Sequence, residues 1–143
     1  MDFTKIEANK NIHIFTSLFT TPASSFTQNI NSVTFTPDYV IVKMINYVPS
    51  TNDNASDMYY IKSDLVSNET IGSFGVYLNV DPDNDYISAP VFPNLIFKLN
   101  KPIQGLFTFQ IFNSAGQMYN LAGELSIHLD FIKLKAEHPQ KVF

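Results

Sequence analysis

The sequence of 143 residues contains no cysteine and no tryptophan, and only 15% of its residues are charged. Without cysteine the chain can form neither a disulfide framework nor a thiolate nucleophile, which is consistent with folding in a reducing compartment. Because the usual charged fraction is about 25%, the polar surface must come from asparagine, serine, threonine and glutamine. Such a surface is weakly solvated for its size and suits packing into an assembly, and a sticky monomer is the alternative interpretation.

Basic clusters and long apolar runs are missing as well. The net charge is −4, and the nine basic residues are scattered along the sequence, whereas a nucleic-acid-binding protein would group them. Residues 1–5 lack a basic region followed by an apolar run, so we expect no secretory signal. No stretch approaches the ~20 apolar residues that span a bilayer. We therefore expect no nucleic-acid partner and no membrane span.

Two-residue alternation is the main pattern that the sequence does contain. In the stretch 123–135, Leu125, Ile127, Leu129 and Phe131 alternate with mostly polar residues. Strict alternation predicts a strand with one face on a core and the other toward water or a partner. Few strands can follow it in the chain, so it must insert between strands already formed. This predicts a closed or sandwiched all-β domain.

Shorter alternating stretches separated by proline, glycine and asparagine turns predict the other strands. They cover residues 11–20, 26–35, 39–47, 58–66, 71–80, 86–92, 95–99 and 105–112. The stretch 39–47 is nearly continuous in apolar character, as in a central strand. Its alternation predicts Val40, Val42 and Met44 on one face and Ile45 and Tyr47 on the other.

The number and spacing of these strands predict the fold class. No stretch of ten residues has helical periodicity, and eight or nine strands at spacings of about 8–15 residues are typical of an antiparallel sandwich or barrel. An immunoglobulin-like fold would lack its cysteine and tryptophan markers. An all-β, eight-stranded jelly-roll sandwich fits best. It forms one domain over residues 1–143, with 1–10 as an arm or short edge segment and 136–143 as a polar tail.

Several of these stretches resemble a known family. Residues 37–43, 60–66 and 101–110, together with 125–133, are similar to the single jelly-roll minor capsid (penton) proteins of virophages, Polinton-like viruses and related large DNA viruses of protists. The resemblance implies a structural protein of the virion, assembled in the host cytoplasm or nucleus. Five copies would surround an icosahedral vertex, with the terminal segments 1–10 and 136–143 binding neighbouring capsid proteins, including the major capsid protein. It implies no catalytic residue and no cofactor.

One turn has the spacing of a calcium loop. Asp81, Asp83 and Asp85 place carboxylates at every second position, as Ca²⁺ loops do. Tyr86 stands where an EF-hand needs glycine, and Phe92 stands where it needs glutamate. An ordinary solvated turn is therefore the favoured interpretation.

The histidines do not form a ligand set or a catalytic set in the sequence. His128 and Asp130 share a strand face with Ser126, but three side chains at alternate positions of one strand spread over ~13 Å. His13 and His138 have no partners nearby in the chain. We interpret the polar face of this strand as a contact surface for a neighbouring subunit and expect no enzymatic activity.

A second interpretation is a trimeric fibre-head or lectin-like module that binds a receptor or carbohydrate through the loops 49–57 and 81–86. Tyr59, Tyr60 and Tyr86 are its candidate aromatic platform. The candidate binding residues on these loops are Asn54, Asp57, Asp81, Asp83, Asp85 and Tyr86. A cupin-like enzyme is the third interpretation, and the isolated histidines disfavour it.

Overall fold

The computed structural model of the chain describes residues 5–18, 20–50, 56–79 and 85–136. Within these ranges the protein consists mainly of two antiparallel sheets, with a 3₁₀ turn at Asp64–Val66. The strands are β1 (Ile6–Ser17), β2 (Ser25–Ile30), β3 (Tyr39–Pro49), β4 (Asp57–Ser63), β5 (Glu69–Asn79), β6 (Asp85–Ile87), β7 (Leu95–Lys98), β8 (Gly105–Phe112) and β9 (Gly123–Leu134). The all-β prediction is confirmed.

The strand order is that of a jelly roll. The four-stranded sheet has the order β1-β9-β3-β7, and the five-stranded sheet has the order β2-β8-β4-β5-β6. The pairs are nested along the chain, because β1 pairs with β9, β2 with β8, β3 with β7 and β4 with β5. A long antiparallel ribbon that rolls up produces this nesting. The last strand lies between β1 and β3, as its alternation requires. There are nine strands rather than eight because the short strand β6 extends the second sheet beyond β5.

The core fills the space between the two sheets. Leu125, Ile127, Leu129 and Phe131 of β9 are all buried, which confirms the predicted inner face. Aromatic rings bridge the ~10 Å between sheets: the Tyr47 ring of β3 lies 5.0 Å from the Phe74 ring of β5. Burial raises the pKa of the Tyr47 hydroxyl far above its usual range, and the neighbouring Tyr59 adds to the effect.

Strand β3 departs from the alternation predicted for it. Val40 and Val42 are buried as expected, but the register with β9 shifts between Val42 and Met44. A β-bulge at this point places an extra residue, Lys43, on one strand and reverses the side on which later residues point. Ile45 and Tyr47 therefore join Val40 and Val42 in the core, and the prediction that they face the opposite side is wrong.

Several strand boundaries also differ from the predictions. Strand β1 begins at Ile6, so residues 6–10 belong to an edge strand that pairs with β9, which agrees with the predicted edge segment and not with the alternative of an arm. The predicted strand 86–92 is divided between the two sheets. After Ile87 the chain crosses from the five-stranded sheet, and Val91 exchanges two backbone hydrogen bonds of 2.8 Å with Ile45 in the four-stranded sheet. Proline at positions 90 and 93 cannot donate to a continuous ladder, which explains the interruption.

The antiparallel pairing fixes which connections share an end of the sandwich. The strand ends Ser17, Pro49, Asn79 and Phe112 and the strand starts Ser25, Asp57, Asp85 and Gly123 belong to one end, called here the upper end. The connections 31–38, 64–68 and 99–104 belong to the lower end. The described residues that flank both predicted binding loops therefore lie at the upper end. The part of the chain that the structure describes holds no helix with the length and apolar character of a membrane span.

Candidate functional site

Three of the six predicted binding residues belong to described parts of the upper end. These are Asp57, Asp85 and Tyr86, whereas Asn54, Asp81 and Asp83 lie outside the described residues. The calcium-like spacing of the acidic turn therefore stays a prediction. Among the described residues, no three histidine, aspartate or glutamate side chains come together in a group that would hold a metal ion.

Both carboxylate oxygens of Asp57 accept hydrogen bonds from the backbone. One carboxylate oxygen accepts a hydrogen bond of 2.8 Å from the backbone N–H of Met58, and the other accepts one of 3.3 Å from the backbone N–H of Ser114. Hydrogen bonding by Ser114 lowers the pKa of this carboxyl. The start of β4 is thereby tied to the turn between β8 and β9. This arrangement gives Asp57 a structural role.

The predicted aromatic platform is not formed. Tyr59 is fully buried, with its ring 5.7 Å from Phe74 and 5.4 Å from Tyr119. Tyr86 pairs with Leu78 across the β5–β6 hairpin and packs against the core. Tyr60 is the one member of the predicted set with an exposed ring. Tyr59 and Tyr60 cannot share a platform, because adjacent residues of a strand point to opposite faces of the sheet.

A different aromatic cleft does exist on the outer face of the five-stranded sheet. Tyr60 and Phe112 are cross-strand partners, and Lys62 places its ammonium 5.0 Å from the centre of the Phe112 ring. Together with Thr70 and Ser114 they line a shallow depression of about 240 Å³. Phe112 was not among the predicted site residues, and its pairing with Tyr60 depends on a register that the sequence does not reveal.

His128 has a partner that the sequence did not indicate. Strand pairing places His13 of β1 directly opposite His128 of β9 on the outer face of the four-stranded sheet. The two imidazole rings are stacked, with centroids 4.1 Å apart and planes inclined by 27°. Partial burial, and then the proximity of His13, lower the pKa of His128. The neutral form of the imidazole is therefore favoured at this position.

Large apolar side chains are exposed along the edges of the four-stranded sheet. Phe15 on β1 is 51% exposed, and Ile96 on β7 is 46% exposed. Phe92 and Leu95, which flank or begin β7, are also exposed. Within the described part of the chain, β1 pairs only with β9 and β7 only with β3. Each edge therefore combines an unpaired strand with exposed apolar side chains, and this combination favours pairing with another chain.

Four lysines from three separate parts of the sequence line one cleft at the lower end. The cleft has a volume of about 650 Å³, and its charged lining residues are Lys5, Glu7, Asp38, Lys98, Lys133 and Lys135. Some of these charged side chains have partners within the cleft. Lys133 lies 3.6 Å from a Glu7 carboxylate oxygen, and a carboxylate oxygen of Asp38 accepts a hydrogen bond from the backbone N–H of Leu134. The expectation that the basic residues are scattered holds along the sequence but not in space.

Comparison with known proteins leaves the family of this chain open. None of the protein-family models matches it, and neither does any curated protein. Among solved structures, it is similar to the NLP core of Drosophila, which was described in terms of pentamer formation and histone binding. That likeness has 12% identity and a TM-score of 0.43, and it covers 90% of this chain and 100% of that one. A chain from the disulfide-linked pili of Bacillus endospore appendages matches at 11% identity and a TM-score of 0.31, with 87% of each chain covered.

Proposed function

We propose that this chain is a structural protein, a single jelly-roll subunit that associates with copies of itself into a closed ring. In the virion, that ring is a minor capsid or penton assembly at an icosahedral vertex, where it contacts the major capsid protein. The observation that carries the proposal is the exposure of large apolar side chains on both edge strands of the four-stranded sheet, Phe15 on β1 and Ile96 on β7.

The β7 edge supports one side of the subunit contact. Phe92, Leu95 and Ile96 are each more than 40% exposed and lie within five residues of one another. Only Lys98 is charged within the strand. Soluble monomers usually protect such an edge with charge, proline or a covering segment. An apolar edge of this kind is stabilised when another polypeptide covers it.

The β1 edge supports the other side of the proposed subunit contact. It is twelve residues long, and its second half, residues 11–17, contains no lysine, aspartate or glutamate. Because β1 and β7 lie at opposite edges of one sheet, a contact between the β1 edge of one copy and the β7 edge of the next is heterologous. Heterologous contacts propagate around an axis until the ring closes. The resemblance to penton proteins supplies the five-fold symmetry and the capsid location in this proposal.

The proposal is tested by the mass and symmetry of the untagged protein in solution. We expect light scattering coupled to size exclusion to give the mass of five chains, and negative-stain images to show rings with five-fold symmetry. Co-expression with the major capsid protein of the same virus should place the ring at shell vertices. A monomer that persists up to about 100 µM, a concentration at which weak specific interfaces are occupied, would contradict the proposal.

The aromatic cleft favours a second candidate, a trimeric fibre-head module that binds carbohydrate. Tyr60 offers an exposed ring for stacking, and Lys62, Thr70 and Ser114 offer polar groups around it. An aromatic platform with a few polar groups is the usual form of a sugar-binding site. A three-fold assembly together with glycan binding that is lost on Tyr60→Ala would favour this candidate over the vertex ring.

A further inference from the structure

Three side chains with metal-binding atoms lie in one row across the four-stranded sheet. His13 of β1 is the cross-strand partner of His128 of β9, and His128 is in turn the partner of Met44 of β3. Directly paired residues lie on the same face with Cβ atoms about 5 Å apart. The bulge before Met44 creates this row, because it turns Ile45 inward and leaves Met44 on the outer face.

The distance between the two imidazoles is suitable for chelation. Their centroids are 4.1 Å apart, and two nitrogens bound to one ion at about 2.0–2.1 Å and a tetrahedral angle are about 3.3 Å apart. Rotation about the ring torsions, which are broad for histidine, is enough to turn stacked rings into converging ones. Two rigid strands already hold the rings together, so binding loses little conformational entropy.

The surroundings leave both rings accessible. Both rings line a depression of about 280 Å³ together with Asn11 and Lys43. The ammonium of Lys43 belongs to this lining, and Asp130 lies two residues beyond His128 on β9.

We propose that His13 and His128 chelate a copper ion on the outer face of the four-stranded sheet, with the Met44 thioether as a third ligand. Among divalent first-row metals, Cu²⁺ binds a given pair of imidazoles most tightly, and a thioether adds preference for Cu⁺. Met44 is half-buried, and its three rotatable side-chain bonds allow the sulfur to reach an ion beside His128. All three ligands belong to one chain, so the site does not require the proposed ring.

The test uses the untagged full-length protein and titrates it with Cu²⁺, and with Cu⁺ in competition with a chromophoric chelator. We expect one ion per chain and nitrogen hyperfine coupling from two imidazoles in the electron paramagnetic resonance spectrum of the Cu²⁺ form. His13→Gln and His128→Gln should each weaken binding by about tenfold or more, because one ligand of a chelating pair is lost. Met44→Leu, which keeps the side-chain volume, should weaken Cu⁺ binding and leave Ni²⁺ binding unchanged.

His138→Gln is the matched control, since it removes the one other histidine of the sequence. It should bind copper as the unaltered protein does. Circular dichroism of each variant separates loss of the site from loss of the fold. If His13→Gln and His128→Gln, both folded, bind copper as tightly as the unaltered protein, or if His138→Gln alone abolishes binding, the proposal is overturned.

Discussion

Strands β9 and β7 belong to the same sheet and are both rich in apolar residues, yet they have opposite environments. On β9, which has a neighbour on each side, the inward residues Leu125 and Phe131 are fully buried. On β7, which pairs only with β3 among the described strands, Leu95 and Ile96 remain 43% and 46% exposed. Apolar character in a strand therefore does not by itself establish that its residues are buried. At an edge, it marks a surface that another chain can cover.

The largest expected effect is a difference in the free energy of unfolding between a variant of a core aromatic residue and a variant of an edge aromatic residue. Phe131→Ala removes a fully buried ring of β9 and should lower the free energy of unfolding by about 3–5 kcal/mol, because a cavity replaces lost contacts. Phe92→Ala, at a ring that is 65% exposed beside β7, should change it by less than about 0.5 kcal/mol. Urea denaturation of dilute protein measures both values. Equal losses for the two variants would show that the assignment of core and edge is wrong.

A pair of glycine variants sharpens the same contrast between buried and open sites. At Gly123, the first residue of β9, an added Cβ would overlap the backbone carbonyl oxygen of Val48 and the Tyr47 ring. Gly123→Ala should therefore destabilise the protein by about 1–3 kcal/mol. At Gly75 the added Cβ would meet only the exposed Met58 thioether, at 3.2 Å. Gly75→Ala should shift the thermal midpoint little, and a shift as large as that of Gly123→Ala would contradict the packing described for β9.

The edge surface is tested by an apolar-to-polar change on β7. Ile96→Ser should leave the stability of the monomer unchanged and weaken self-association by about tenfold, which corresponds to about 1.4 kcal/mol. Leu106→Ser is the control, because Leu106 is 69% exposed but lies on β8 of the other sheet. Sedimentation equilibrium gives the association constants. If both variants weaken association equally, general surface hydrophobicity and not the β7 edge drives it.

The smallest expected effect concerns pH. The pKa of His128 is lowered in the folded protein, so the unfolded chain takes up its proton first as the pH falls through about 6.5. The contribution to stability is therefore present above this pH and is lost below it. Because the ring is largely accessible, the loss should be under about 1 kcal/mol. Urea denaturation at about pH 8 and about pH 5.5 should show this loss, and His128→Gln should reduce it.

The sequence predicted the jelly roll from alternation together with the number and spacing of the strands, and it placed Leu125, Ile127, Leu129 and Phe131 of β9 correctly in the core. It did not predict the β3 bulge. The bulge is seen only in the pairing of β3 with β9, and it reverses the face of the sheet to which the residues after Lys43 point. The His13–His128 pair and the Tyr60–Phe112 cleft depend on register between strands more than fifty residues apart. Such a register is set by the packing of the whole sandwich and not by local pattern.

Similarly, the predicted roles of Asp57 and Tyr86 followed from their polar, turn-rich surroundings, which are typical of binding loops. The structure places Asp57 in hydrogen bonds to Met58 and Ser114 and packs Tyr86 against the core. Turn residues often serve to hold adjacent connections together, and sequence composition does not distinguish that role from ligand binding.

Hydrogen exchange tests the central claim most directly, because it follows β9 and β7 in one experiment at two protein concentrations. We expect the amides of β9 to exchange slowly both at about 1 µM and at about 100 µM, a range over which association depends on concentration. The amides of β7 should exchange rapidly in the dilute sample and slowly in the concentrated one, because a second copy then covers the edge. Rapid exchange of β7 at both concentrations would contradict the account.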